Sequence, residues 1–124
     1  MATLSRVRGI AAALGGMIAR KVMIPYPANG AITIQDGLHE LTKAGVGAYT
    51  LAAPTAAQVG TQLIITSTTA NAHVVTATGL LDNGVTGGSK NTATFAAFPG
   101  ATITLIAIDD LKWKVQSSNV VTVA

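Results

Sequence analysis

From residue 31 to the C-terminus, apolar and β-branched side chains recur at alternate positions in short runs, and each run ends at Gly, Pro, Asp, Asn or another turn-forming residue. A period of two places successive side chains on opposite faces of an extended chain, which restricts this stretch to strands and turns. The runs 31–34, 38–41, 49–52, 62–68, 72–78, 92–95, 102–108, 112–116 and 120–123 give about nine strands. No segment after residue 24 has the spacing of a helix of ordinary length. The fold class expected is therefore all-β, an antiparallel β-sandwich or jelly-roll-like barrel occupying residues 31–124. Asp36-Gly37, between two of the runs, suits a tight hairpin turn because Gly accepts positive φ. The Gly-rich stretch 79–90 reads as an excursion that a central strand would not tolerate.

Residues 1–30 are different. Leu4, Val7, Ile10, Ala11, Leu14, Met17, Ile18 and Val22 recur at spacings near three and four, an amphipathic-helix pattern. Gly9, Gly15 and Gly16 weaken it by about 1 kcal/mol each relative to Ala. The segment is thus expected to be an N-terminal arm, extended or partly helical, that orders only against a neighbour. Pro25, Pro27 and Gly30 then make a linker into the body.

The 124 residues include 8 Lys and Arg and 5 Asp and Glu, or 10% charged, against 49% hydrophobic. Soluble domains average about 25% charged residues. So few charges leave an isolated molecule's surface poorly hydrated, so partners are expected to cover much of it. Arg6, Arg8, Arg20 and Lys21 give the arm +4, and the body sums to −1. The basic character is confined to the arm, and the body has no basic stripe for nucleic acid. Arg6 and Arg8 before the uncharged run 9–19 resemble the start of a signal peptide, but that run is weakly apolar, too short to span a bilayer, and followed by Arg20-Lys21. No membrane partner is expected.

Face analysis adds a second indication of partners. In 112–116, Trp113 and Val115 share one face and the two Lys the other, a strand with one side in water. In 102–108, Ile103, Leu105 and Ala107 form one face, while the opposite face starts at Thr102 and Thr104 and turns apolar at Ile106 and Ile108. Cover on both sides is hard to supply within so small a domain, so Ile106 and Ile108 are the expected subunit contacts.

Residues suited to chemistry are sparse. His39 and His73 lack metal-ligand spacing, and a site built from them with Asp36 is less economical than two hydrogen-bonded histidines. Gly84 to Lys90 differs from a phosphate loop, which ends Gly-Lys-Ser or Gly-Lys-Thr and opens a helix. Asp82-Asn83-Gly84 and Asp109-Asp110 read as turns. No Ser has a Gly-x-Ser-x-Gly setting. The aromatic residues Tyr26, Tyr49, Phe95, Phe98 and Trp113 are scattered, unlike a nucleic-acid stacking platform, and Trp113 reads as a core residue. Neither catalysis nor a cofactor or metal is expected.

The stretch 47–61, with Tyr49-Thr50-Leu51-Ala52-Ala53-Pro54-Thr55 and Gly60, resembles small β-rich structural proteins of tailed bacteriophages. So do Leu63-Ile64-Ile65-Thr66-Ser67, Ala72-His73-Val74-Val75-Thr76 and Trp113-Lys114-Val115-Gln116-Ser117-Ser118. The family most similar is the capsid decoration, or cement, proteins, and the resemblance covers residues 31–124. It implies a β-sandwich or barrel, a homo-oligomer with a trimer favoured over a dimer, on the outer surface of a virion head and bound to the major capsid protein. It carries no catalytic residue. In that setting Leu4, Arg6, Arg8, Ile10, Arg20 and Lys21 are the expected capsid contacts. The alternative expectation is a tail-fibre or receptor-binding module, with the 79–90 loop and aromatic residues facing a host glycan.

Overall fold

The computed structural model describes residues 22–85 and 88–124. Ten strands account for about half of the described residues: β1 (Met23–Tyr26), β2 (Gly30–Ala31), β3 (Gly37–Leu41), β4 (Ala48–Thr50), β5 (Gln62–Ser67), β6 (Val74–Asp82), β7 (Lys90–Phe95), β8 (Thr102–Ala107), β9 (Trp113–Asn119) and β10 (Val121–Val123). Among the described residues the remaining regular element is a 3-10 turn at Ala56–Gln58. The expected all-β body is present. Pairing begins at Met23, inside the stretch 1–30 that the sequence assigns to arm and linker.

Along one path the sheet runs β1-β3-β5-β8-β9-β6-β4-β2, with β7 on β6 and β10 on β7. It doubles back into two layers, β1-β3-β5-β8-β9 and β2-β4-β6-β7-β10, joined where Leu81 and Asp82 of β6 pair with Trp113 and Lys114 of β9. Alternation in burial follows the period-two pattern: Leu63, Ile65 and Ser67 on β5 and Ile103, Leu105 and Ala107 on β8 are buried, with their neighbours partly exposed. Trp113, Tyr49, Phe95, Leu41 and Leu81 fill the space between the layers. The Trp113 indole N–H, which needs a partner when buried, donates to the Ala52 carbonyl at 2.9 Å.

Three sequence expectations are corrected. Pairing is mixed rather than antiparallel: β1–β3, β2–β4, β3–β5, β4–β6 and β6–β9 are parallel. Through β6 the chain alternates between layers, so each strand lies beside the strand two places earlier and points the same way. Asp36-Gly37 is correspondingly not a hairpin turn, because β2 and β3 lie in different layers. Asp36 instead accepts from the Gln62 amide at 2.7 Å. Gly37 opens β3 at φ +150°, where a Cβ would lie 2.3 Å from the Val22 carbonyl oxygen. Finally, residues 79–82 are strand. Gly79 takes φ +71° at a bulge after Thr76, and this bend lets β6 leave β4 and pair with β9, burying Leu81.

The layer edges are short or blocked. Val22 and Tyr26 carbonyls accept from Leu38 and Thr42 amides, so alternation turns Met23 and Pro25 to the free side of β1, and Pro25 has no N–H to offer there. In the other layer the outer strands are short: β2 has two residues and β10, which pairs with β7, has three.

Replacing Gly37 with Ala should cost about 1–3 kcal/mol, because both the backbone angle and the Val22 contact must relax. A urea midpoint unchanged from the parent would refute the requirement for Gly at the β1–β3 approach.

Candidate functional site

Residues 27–29, 42–47, 68–73, 96–101 and 120 form the connections at one end of the sandwich, here called the Phe98 end. Thr68 N–H donates to Leu41 O, Gly100 N–H to Ser67 O and Ala96 N–H to Val120 O, which ties these loops to one another. The opposite end, where Val22 leads into β1, holds 32–36, 51–61, 83–85, 88–89 and 108–112. Its links are Gly60 N–H to Ala107 O and Lys112 Nζ to Ser89 Oγ.

Charge is segregated between these ends. Asp36, Asp82, Lys90, Asp109, Asp110, Lys112 and Lys114 lie at or beside the Val22 end, and Glu40 lies on the outer face of β3. Lys43 is the charged residue of the Phe98 end among the described residues. That end also exposes Val46 by 61%, Phe98 by 44% and Val120 by 45%. Val120 has φ 53°, a left-handed backbone that a β-branched residue adopts only under strain. The described ion pair, Lys114 with Asp82 at 3.8 Å, is well exposed and screened by water.

Beneath the Phe98 end, a row of four rings runs through the core: His39, Tyr26, Tyr49 and His73. Their centroids are 5.7, 6.2 and 5.9 Å apart in that order. Alternation explains their placement, since His39 and Tyr49 fall on the inward positions of β3 and β4, and Glu40 faces outward. Tyr26 Oη lies 2.7 Å from His39 Nδ1 and accepts the Thr33 N–H at 3.0 Å. His39 Nε2 is 2.9 Å from the Gln35 carbonyl. A carbonyl only accepts, so Nε2 carries the proton, Nδ1 accepts, and Tyr26 donates to it. The same logic fixes His73: Gly47 N–H donates to Nδ1 at 2.8 Å, and Nε2–H donates to Thr69 Oγ1 at 2.8 Å. Asn71 Nδ2 donates to that Thr69 oxygen as well, and Tyr49 O–H donates to the Tyr26 carbonyl at 3.1 Å.

Burial pushes both histidines below their ordinary value. The hydrogen bond that His39 donates to the Gln35 carbonyl partly offsets this at His39, and the Lys43 charge reinforces it at His73. Burial raises Tyr49, which keeps its hydroxyl protonated as a donor near neutral pH. Gly47 is required by close approach, because a Cβ there would lie 2.4 Å from the Tyr49 ring.

The row is satisfied internally. No buried side-chain polar atom among the described residues lacks a partner. His39, His73 and Asp36 are not brought together, and no described group of three His, Cys, Asp or Glu could hold a metal. Leu4, Arg6, Arg8, Ile10, Arg20 and Lys21 lie outside the described residues. Ile106 is on the outer face of β8 opposite Gln62 of β5, Ile108 follows the strand, and both are half-buried. The segregation of charge between ends was missed from sequence, because it appears only once topology shows which connections share an end. No described helix is long and apolar enough to cross a membrane. No protein-family model matches the chain, and no curated protein matches it.

Tyr26→Phe removes the acceptor for Thr33 N–H and the donor to His39 Nδ1, leaving that buried nitrogen unpaired. The expected loss is about 1–3 kcal/mol, read from thermal or urea unfolding, and a variant as stable as the parent would contradict the role given to this hydroxyl.

Proposed function

We propose that this chain is a structural virion protein of the capsid-cement kind. It binds the major capsid protein on the outside of a bacteriophage head and adds contact area between neighbouring subunits. The observation that carries this reading is the low charge of the Phe98 end: its five connections hold one Lys, and they expose Val46, Phe98 and Val120, whereas the exposed Val22, Val59, Val85 and Leu111 of the other end lie among its charges. Charges are depleted at the centres of protein interfaces, and exposed apolar patches mark them. Strained backbone is retained where function requires the side chain.

Tying two subunits together takes two attachment regions, and the two candidates in this chain are the arm that precedes Val22 and the Phe98 end. The arm is rooted at Val22, and its residues Leu4, Arg6, Arg8, Ile10, Arg20 and Lys21 reach one capsid subunit, while the Phe98 end bears on another. The outer faces of β5 and β8, with Ile64, Thr66, Thr104 and Ile106, and Ile108 just beyond β8, are the contact between copies in a homo-oligomer. Modest affinity at each contact becomes strong attachment when several linked copies bind at once.

Two variants test this. Removal of residues 1–21 should leave a folded protein that no longer binds purified heads. Val120→Asn, which suits the left-handed backbone, should stabilise the isolated protein by about 1 kcal/mol and weaken head binding. Undiminished co-sedimentation of both variants with heads would reject the proposal.

A further inference from the structure

We propose that His73 is an acid-operated latch on the Phe98 end: a proton on Nδ1 removes the acceptor of the Gly47 N–H and loosens the β3–β4 loop from the β5–β6 loop there, leaving the Gly47 carbonyl held by the Val74 N–H as the remaining tie. The geometry leaves that proton no favourable place. Nδ1 is met by a backbone donor at 2.8 Å, and Nε2 already carries the hydrogen given to Thr69. A doubly protonated ring therefore sets N–H against N–H at Gly47, in a side chain that is fully buried.

The groups around the ring give the cation no counter-charge. Tyr49 of β4 meets it edge-on, Thr69 and Asn71 approach from the β5–β6 loop, and Phe95 of β7 donates its amide to the His73 carbonyl. The charged residue acting on it is Lys43, on the loop that would be released, and like charge favours release. His39, at the far end of the row, differs: Tyr26 can turn its hydroxyl to accept from a protonated Nδ1, so His73 is the responsive member.

The sign follows from linkage. The folded-state value of His73 lies below the 6.5 of an ordinary histidine, so an opened or unfolded form binds more protons once pH falls beneath that value. Closure is complete above it and weakens as pH falls through the window below it. With one proton taken up on opening, the opening equilibrium rises by up to about tenfold per pH unit. The consequence for attachment, an end that loses its fixed shape in acid, rests on the cement reading. The latch itself is a property of the isolated chain and stands or falls without it.

Amide exchange of the full chain, followed by NMR from about pH 7.5 to about pH 5 and divided by intrinsic rates, tests the latch across the range where histidine titrates. Gly47 protection should fall by up to about tenfold per pH unit, while Ile65 of β5 and Ile103 of β8 hold theirs. Ring nitrogen shifts should show His73 passing from the Nε2–H form to the doubly protonated form over the same range. His73→Asn, whose amide oxygen accepts but does not titrate, should flatten the Gly47 profile; if that variant does not fold, the parent titration decides alone. A His73 that stays neutral throughout, one that protonates without change at Gly47, or loss of protection at Gly47, Ile65 and Ile103 together would each overturn the proposal.

Discussion

Tyr26 holds together parts of the chain that no ladder joins. β1 and β2 are the two ends of the sheet path, and backbone pairing does not connect them. The Tyr26 hydroxyl binds Thr33 beyond β2 and His39 on β3, while its carbonyl receives Thr42 and the Tyr49 hydroxyl. One residue thus joins the first strand to both layers. The ring row extends that link to His73 and, through it, to the loops of the Phe98 end. A polar network of this kind is tolerable in a core only when every member is satisfied, and this one is.

Much of the fold was legible in the sequence because period-two burial is local. The inward sets on β5 and β8, the outward Lys112 and Lys114 and the buried Trp113 all follow from alternation. His39 and Glu40 face opposite ways for the same reason. Pairing direction was not legible, since a run such as 38–41 looks the same whether its neighbour is parallel or antiparallel. Asp36-Gly37 misled because a Gly needed for close approach to Val22 has the same sequence signature as one needed for a hairpin. Gly79 misled likewise: the residue that seemed to end a strand bends it around a corner.

The ring row and the charge segregation were hidden for a related reason. His39 and His73 are far apart in sequence and meet the two tyrosines only because β3 and β4 belong to opposite layers. Sequence totals revealed how few charges the chain carries but not where they gather. The alternating path collects the acidic turns at 36, 82 and 109–110 at one end and the Ala-, Gly- and Thr-rich turns at the other. Scarcity of charge thereby becomes a direction built into the molecule.

Pro25 sets a limit on how copies of this chain can associate. With no amide hydrogen at the middle of its outer rim, β1 makes a poor template for another backbone, and β2 and the three-residue β10 are too brief to serve as one. Backbone pairing between crowded copies is therefore disfavoured along these rims, which works against merging into one endless sheet. A β-rich protein so poor in repulsive charge would otherwise be a strong candidate for fibril growth.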